Sequence, residues 1–201
     1  NGYSAPAAAF VPRGVAWVAT EFTKVPDGTL GNQVRQNRDA TAWVYNNAET
    51  YGFDRDRIFI AGHSSGGHMS GMVLVTDWEK QYGLPKDLVK GATAISGMYD
   101  LEAVYLSYRN TYLGLSDAEW RESSSIFQIP KNCGIPLLIG CAENDTQEFH
   151  RQPEEFLKAW KEAGNEGEFI HLMGRHHFSG SMCYSDADHE LFHKMCKMIG
   201  V

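Results

Sequence analysis

The sequence predicts an α/β fold in which a mostly parallel sheet carries helices on both faces. Short, nearly continuous apolar runs alternate with longer segments whose apolar residues recur at helical spacing. Strands without a polar face belong to sheets covered on both sides, which is the parallel arrangement. A third, local observation is Gly62-His63-Ser64-Ser65-Gly66, which stands where a strand gives way to a helix.

In chain order, Gly14-Val15-Ala16-Trp17-Val18-Ala19-Thr20 reads as a buried first strand. A loop with Pro26-Asp27-Gly28 leads to a helix marked by Leu30, Val34, Thr41, Val44, Ala48 and Tyr51 and stopped by Gly52. Arg57-Ile58-Phe59-Ile60-Ala61-Gly62 is the second strand, and residues 69–76 are apolar on most sides, as in a buried helix. Strands three and four are residues 91–96 and 136–142. A helix over 153–163 has Pro153 near its first turn and Phe156, Leu157 and Trp160 as its stripe. Residues 168–173 form the fifth strand. The last helix is expected to start near Ser185, which has capping-box spacing to Asp188.

Residues 100–130 break this rhythm. They are rich in aromatics and carry a capping-box pair, Ser116 and Glu119. An insertion there lies past the carboxyl ends of the strands, where open α/β sheets bind ligands, and it reads as a small lid. With 201 residues, the chain is expected to form a single domain over 1–201.

Composition narrows the function classes. Hydrophobic residues make up 43% and charged residues 21%, a globular mixture. Eighteen basic against 25 acidic residues give a formal charge of −7, with no Lys/Arg run, so no nucleic-acid partner is expected. No apolar run is long enough for a membrane span, and no membrane partner is expected. Cys133, Cys141, Cys183 and Cys196 include no C-x-x-C pair and are too sparse for a disulfide scaffold. A reducing, cytoplasmic setting is expected, with Cys141 as a small core residue.

The chemistry begins at G-x-S-x-G. Strand, tight turn and helix together make a nucleophile elbow that lifts the Ser64 oxygen above the sheet. The glycines flanking it leave room beside the strained turn, and the Ser65 N–H faces a developing oxyanion. A serine needs a base, and the base needs an orienting acid. Glu143 and Asp145 both follow the fourth strand, and His176 and His177 both follow the fifth. Nucleophile, acid and base therefore occur in the required order on one rim of the sheet, which is the pattern of a serine hydrolase.

Residues 62–69, the run Ile95-Ser96-Gly97-Met98-Tyr99-Asp100-Leu101-Glu102, and Glu148-Phe149-His150-Arg151-Gln152 resemble the arylformamidase-like (kynurenine formamidase-like) esterases of the α/β-hydrolase superfamily. The resemblance covers about residues 14–178. In that family the acid shortly precedes E-F-x-R-Q, which implies Asp145, and the catalytic histidine precedes a Phe, which implies His177. The resemblance also implies an H-G-G-x-W oxyanion loop, of which only Gly2 and Tyr3 remain, with Ser4 in place of Trp. By the same resemblance, the strand bearing that loop is expected between the first two strands read here. The expectation is thus that the N-terminal strands are missing from this sequence and that the natural protein extends upstream.

The expected function is hydrolysis of a small carboxylic ester or aryl N-formyl amide through an acyl-enzyme on Ser64, without a cofactor. Tyr99, Tyr105, Trp120, Phe149 and Phe178 are the aromatic candidates for the substrate pocket. The alternatives are a short-chain carboxylesterase without formamidase activity and an inactive binding protein of the same fold. His189-Glu190-Leu191-Phe192-His193 is a literal H-E-x-x-H, but no third ligand follows it. It reads as the face of an amphipathic helix, and no metal is expected there. His63 and His68 read as polar neighbours of the elbow.

Overall fold

A computed structural model describes residues 4–201. Helix α1 (Ala7–Phe10) and a 3₁₀ turn (Val11–Arg13) precede an irregular segment that leads into α2 (Leu30–Asn47), capped by the Thr29 hydroxyl. Strand β1 (Ile58–His63) runs directly into α3 (Ser65–Leu74), followed by α4 (Trp78–Tyr82) and β2 (Val89–Ile95). Three short helices, α5 (Glu102–Tyr105), α6 (Asn110–Leu113) and α7 (Asp117–Glu122), occupy the insertion. Strand β3 (Leu137–Ala142), α8 (Gln147–Glu162), β4 (Gly167–Leu172), α9 (His177–Gly180) and α10 (Glu190–Ile199) complete the order. All adjacent strands are parallel, in the spatial order β1-β2-β3-β4.

Strand alternation explains why β3 is buried along its whole length. Leu137 and Ile139 join a core with Phe156, Leu157 and Trp160 of α8 and with Val73 and Leu74 of α3. Leu138 and Ala142 point the other way, into a core with Leu191, Phe192 and Met195 of α10 and with Phe10. Each large apolar side chain so buried contributes about 1.5–3 kcal/mol. A third cluster joins Leu30 and Val34 of α2, Met69 and Met72 of α3, and Leu101, Val104, Leu115 and Trp120 of the insertion.

Three local expectations need correction. Residues 14–20 form no strand: Val18 is 46% exposed, and only Trp17 finds a stacking partner, Phe10, at 5.5 Å between ring centroids. A strand needs a ladder partner, and between this segment and the open edge of β1 lies a cleft of about 2080 Å³. Side-chain bonds to α2 hold the segment instead, from Thr20 Oγ1 to Asn37 Oδ1 (2.8 Å) and from the Thr23 N–H to Gln36 Oε1 (2.8 Å).

Helix α8 starts at Gln147, six residues before Pro153, which is therefore interior. Arg151 clamps Glu148 with two bonds (3.0 and 2.7 Å), reinforcing the turn ahead of the proline. The last helix starts at Glu190 rather than near Ser185, because the His189 ring accepts the Leu191 N–H (3.0 Å) and supplies the cap. The Ser116–Glu119 capping box is present in both directions.

Candidate active site

Each of the four strands delivers one side chain to the same rim of the sheet. After β1, Ser64 adopts φ 58° and ψ −119°, a conformation that strains a residue with a Cβ and costs about 1–3 kcal/mol. Tight packing maintains it. A Cβ on Gly62 would lie 2.1 Å from the Gly66 carbonyl oxygen, and one on Gly67 would lie 2.7 Å from that of Ile95. A Cβ on Gly66 would meet open space, so the second glycine that the elbow needs for room is Gly67. The Tyr184 hydroxyl donates to the Gly62 carbonyl (2.7 Å) and fixes the end of β1.

The Ser64 hydroxyl lies 2.8 Å from His177 Nε2, and His177 Nδ1 lies 2.7 Å from Asp145 Oδ1. Asp145 follows β3, and its side chain is fully buried. Its Oδ2 accepts from the Ala142 N–H (2.9 Å) and from the Ser96 hydroxyl (2.6 Å). Ser96, itself at φ 50°, stands just past β2. An Nδ1–H held by the carboxylate leaves Nε2 free to accept the serine proton. Ser65 opens α3, where the first N–H groups have no intrahelical partner and point toward negative charge.

Glu143 is exposed and takes a different part. Its Oε2 accepts the Gly174 N–H (2.7 Å), while the Asn144 N–H donates to the Arg175 carbonyl (2.9 Å). These bonds tie the turn after β3 to the turn after β4, and so Asp145 to His177. His176 is exposed at the start of α9, where its N–H bonds to the Ser179 hydroxyl (3.0 Å). The alternatives left by position alone thus separate by geometry: His177 bonds to Ser64 and Asp145 bonds to His177, whereas Glu143 and His176 take part in neither bond.

The His177 imidazole lies between Phe149 (ring centroids 4.3 Å) and His63 (5.0 Å), with the Phe178 edge at 5.7 Å. Burial, and then the neighbouring His177, push the His63 pKa down to about 4, so this ring is neutral near neutral pH. Its Nε2 is buried without a hydrogen-bond partner among the described residues. His68 points away from the site and bonds through Nε2 to the Ser123 carbonyl oxygen (2.7 Å).

Of the aromatic pocket candidates, Phe149 and Phe178 flank the site. Phe178 is 84% exposed and lines the cleft with Ser64 and His177. Tyr99, Tyr105 and Trp120 do not line it. Tyr99 is fully buried against Phe156, with its hydroxyl donating to the Ala94 carbonyl (3.1 Å), so it is a core residue. Trp120 is buried in the third cluster with its indole N–H on Asp117 (3.2 Å), and Tyr105 stacks on it. Burying these rings under the insertion gains more than leaving them to a solvent-filled cleft. Gly2 and Tyr3, expected in the oxyanion loop, lie outside the described residues.

The E-F-x-R-Q string shows its physical use. Gln152, 2% exposed, accepts the N–H groups of Tyr99 (2.7 Å) and Asp100 (2.8 Å) and donates to the Asp100 carbonyl (2.7 Å). It fastens α8 to the chain just beyond Ser96.

A parallel sheet with a serine elbow after its first strand and an acid and a histidine after its last two has the α/β-hydrolase fold. The same fold is seen in the Pyrobaculum calidifontis esterase, at TM-score 0.78 and 18% identity, over 98% of this chain and 69% of that one. Carboxyl esterase 2 from Tuber melanosporum aligns at TM-score 0.66 and 20% identity, over 99% of this chain and 70% of that one.

The chain belongs to the BD-FAE family, which it matches over residues 1–152. It is 31% identical over 194 residues to a kynurenine formamidase from Danio rerio and 28% identical over 197 residues to one from Salmo salar. Each match covers 94% of this chain, which spans 64% of the length of either relative.

Proposed function

We propose that this protein is a serine hydrolase that cleaves small carboxylic esters or aryl N-formyl amides through an acyl-enzyme. The observation that carries this reading is the continuous relay from Ser64 through His177 to Asp145, at 2.8 and 2.7 Å. Ser64 Oγ attacks the acyl carbonyl while His177 Nε2 takes its proton, and the imidazolium so formed is stabilised by Asp145. The Ser65 N–H supports the oxyanion, a contribution of about 3–4 kcal/mol per donor. His177 then protonates the leaving alcohol or amine. It next takes a proton from water, which attacks the acyl-enzyme and releases the acid and free Ser64.

Phe149 and Phe178 beside the imidazole supply apolar walls suited to an aryl leaving group, and the kynurenine formamidase relatives support the formamide class. The test is a panel of short-chain p-nitrophenyl esters run alongside N-formyl-kynurenine, with Ser64→Ala as the blank. Turnover of both classes, absent from the variant, is expected. Ester turnover alone reduces the reading to a short-chain carboxylesterase. Turnover of neither leaves a binding protein of this fold.

A further inference from the structure

A second group of reactive side chains lies outside the catalytic relay. Cys141 and His171 are register partners on β3 and β4, so their side chains leave the sheet side by side. Both stand on the face that carries Leu137 and Ile139, the face covered by α8. From the first turn of α8, His150 Nδ1 comes to 3.2 Å from Cys141 Sγ, and its ring centroid is 6.4 Å from that of His171. One donor atom from each of the three residues lies within 4.8 Å of the other two.

These distances match a small, soft cation. A tetrahedral zinc ion has Zn–S of about 2.3 Å and Zn–N of about 2.0–2.1 Å, which puts its donors about 3.3–3.6 Å apart. The Cys141–His150 pair, at 3.2 Å, is within a few tenths of an ångström of that separation. His171 is exposed, so rotation of its side chain can bring its ring nitrogen to the others. One sulfur and two imidazoles select zinc-class transition metals over calcium or magnesium, which take oxygen ligands. Glu154 stands one turn beyond His150 on α8 and shares a surface groove with His171, which gives an entry path and a carboxylate on the open side. Three separate elements converge here, whereas His189 and His193 join no such group among the described residues.

We propose that Cys141, His150 and His171 form a binding site for one zinc-class divalent metal ion, with the fourth position facing Glu154 and solvent. On binding, the Cys141 thiol loses its proton to solvent and the thiolate coordinates the metal. No step of ester or amide hydrolysis passes through this ion, so the site stands or falls separately from the proposed activity.

The test is titration of chelator-treated, tag-free protein with cobalt(II), followed by displacement with zinc. One equivalent is expected to produce a sulfur-to-cobalt charge-transfer band and tetrahedral visible bands, both abolished by zinc. Cys141→Ser removes the charge-transfer band. His171→Ala, a change at an exposed position, weakens cobalt binding by roughly tenfold or more and leaves the ester turnover of the metal-free protein unchanged. Absence of a sulfur-to-cobalt band in the folded wild-type protein overturns the proposal. So does a band that survives Cys141→Ser, or binding that is unaffected by His171→Ala.

Discussion

Asp145 is held by three donors, the His177 ring, the Ser96 hydroxyl and the Ala142 N–H, and only the first belongs to the relay itself. Ser96→Ala removes a bond to a charged acceptor worth about 1.5–3 kcal/mol. With the carboxylate less firmly oriented, kcat is expected to fall roughly 10–100-fold with KM little changed, as steady-state ester kinetics will show. Asp145→Asn is expected to lose most activity through the wrong imidazole tautomer. Glu143→Gln retains an oxygen for the Gly174 N–H and is expected to keep most of it; the reverse ranking would make Glu143 the acid.

Ser64 and the acid and histidine candidates were legible because each follows a strand in an order that chemistry demands. Choosing Asp145 over Glu143 and His177 over His176 took family resemblance; in the structure it is His177 that bonds to both Ser64 and Asp145. Ser96 was not legible as a support for the acid, since a lone serine after a strand carries no motif. Tyr99 and Trp120 misled for a related reason: a large ring serves a core as well as a pocket, and composition does not say which.

At the scale of elements, the start of α8 links the fold to the site. Gln152→Ala leaves the Tyr99 and Asp100 N–H groups and the Asp100 carbonyl without their partner, at about 1–3 kcal/mol for each group left unsatisfied. Urea denaturation is expected to show a loss of several kcal/mol. An unchanged midpoint would mean that the insertion is fastened elsewhere. The string containing Gln152 was visible in the sequence as a family marker, but its use was not, because its partners lie some 50 residues away.

The β-branched and apolar pattern located β1 to β4 within one or two residues, since burial on both faces leaves a continuous apolar signature. The same signature failed at residues 14–20. An apolar run states that a segment suits a strand, but the ladder partner decides whether one forms. The start of α8 was missed because Pro153 resembles a first-turn residue, although an interior proline is tolerated where neighbouring bonds hold the turn.

For the whole molecule, buried histidines lower stability toward acid. His63 stays neutral in the native protein down to about pH 4, whereas an unfolded histidine takes its proton near 6.5. Below about 6.5 the unfolded chain gains a proton that the folded one cannot hold, so folding stability falls as pH drops toward 4, by up to about 1.4 kcal/mol per unit. Burial lowers the His68 pKa as well and adds to the same trend. Thermal midpoints measured across this range are expected to fall toward acid, and His63→Asn is expected to flatten the curve. A wild-type curve that is flat across this range would remove His63 from this role.

Four successive strand ends bring Ser64, Ser96, Asp145 and His177 together, and the proposed activity requires that this assembly make one serine out of 13 a nucleophile. The most direct measurement is peptide mapping by mass spectrometry after reaction with a fluorophosphonate, on the wild-type protein and on His177→Ala. The account predicts a single adduct on Ser64 that nearly vanishes in the variant. No adduct on Ser64, or labelling at the same rate without His177, would contradict it.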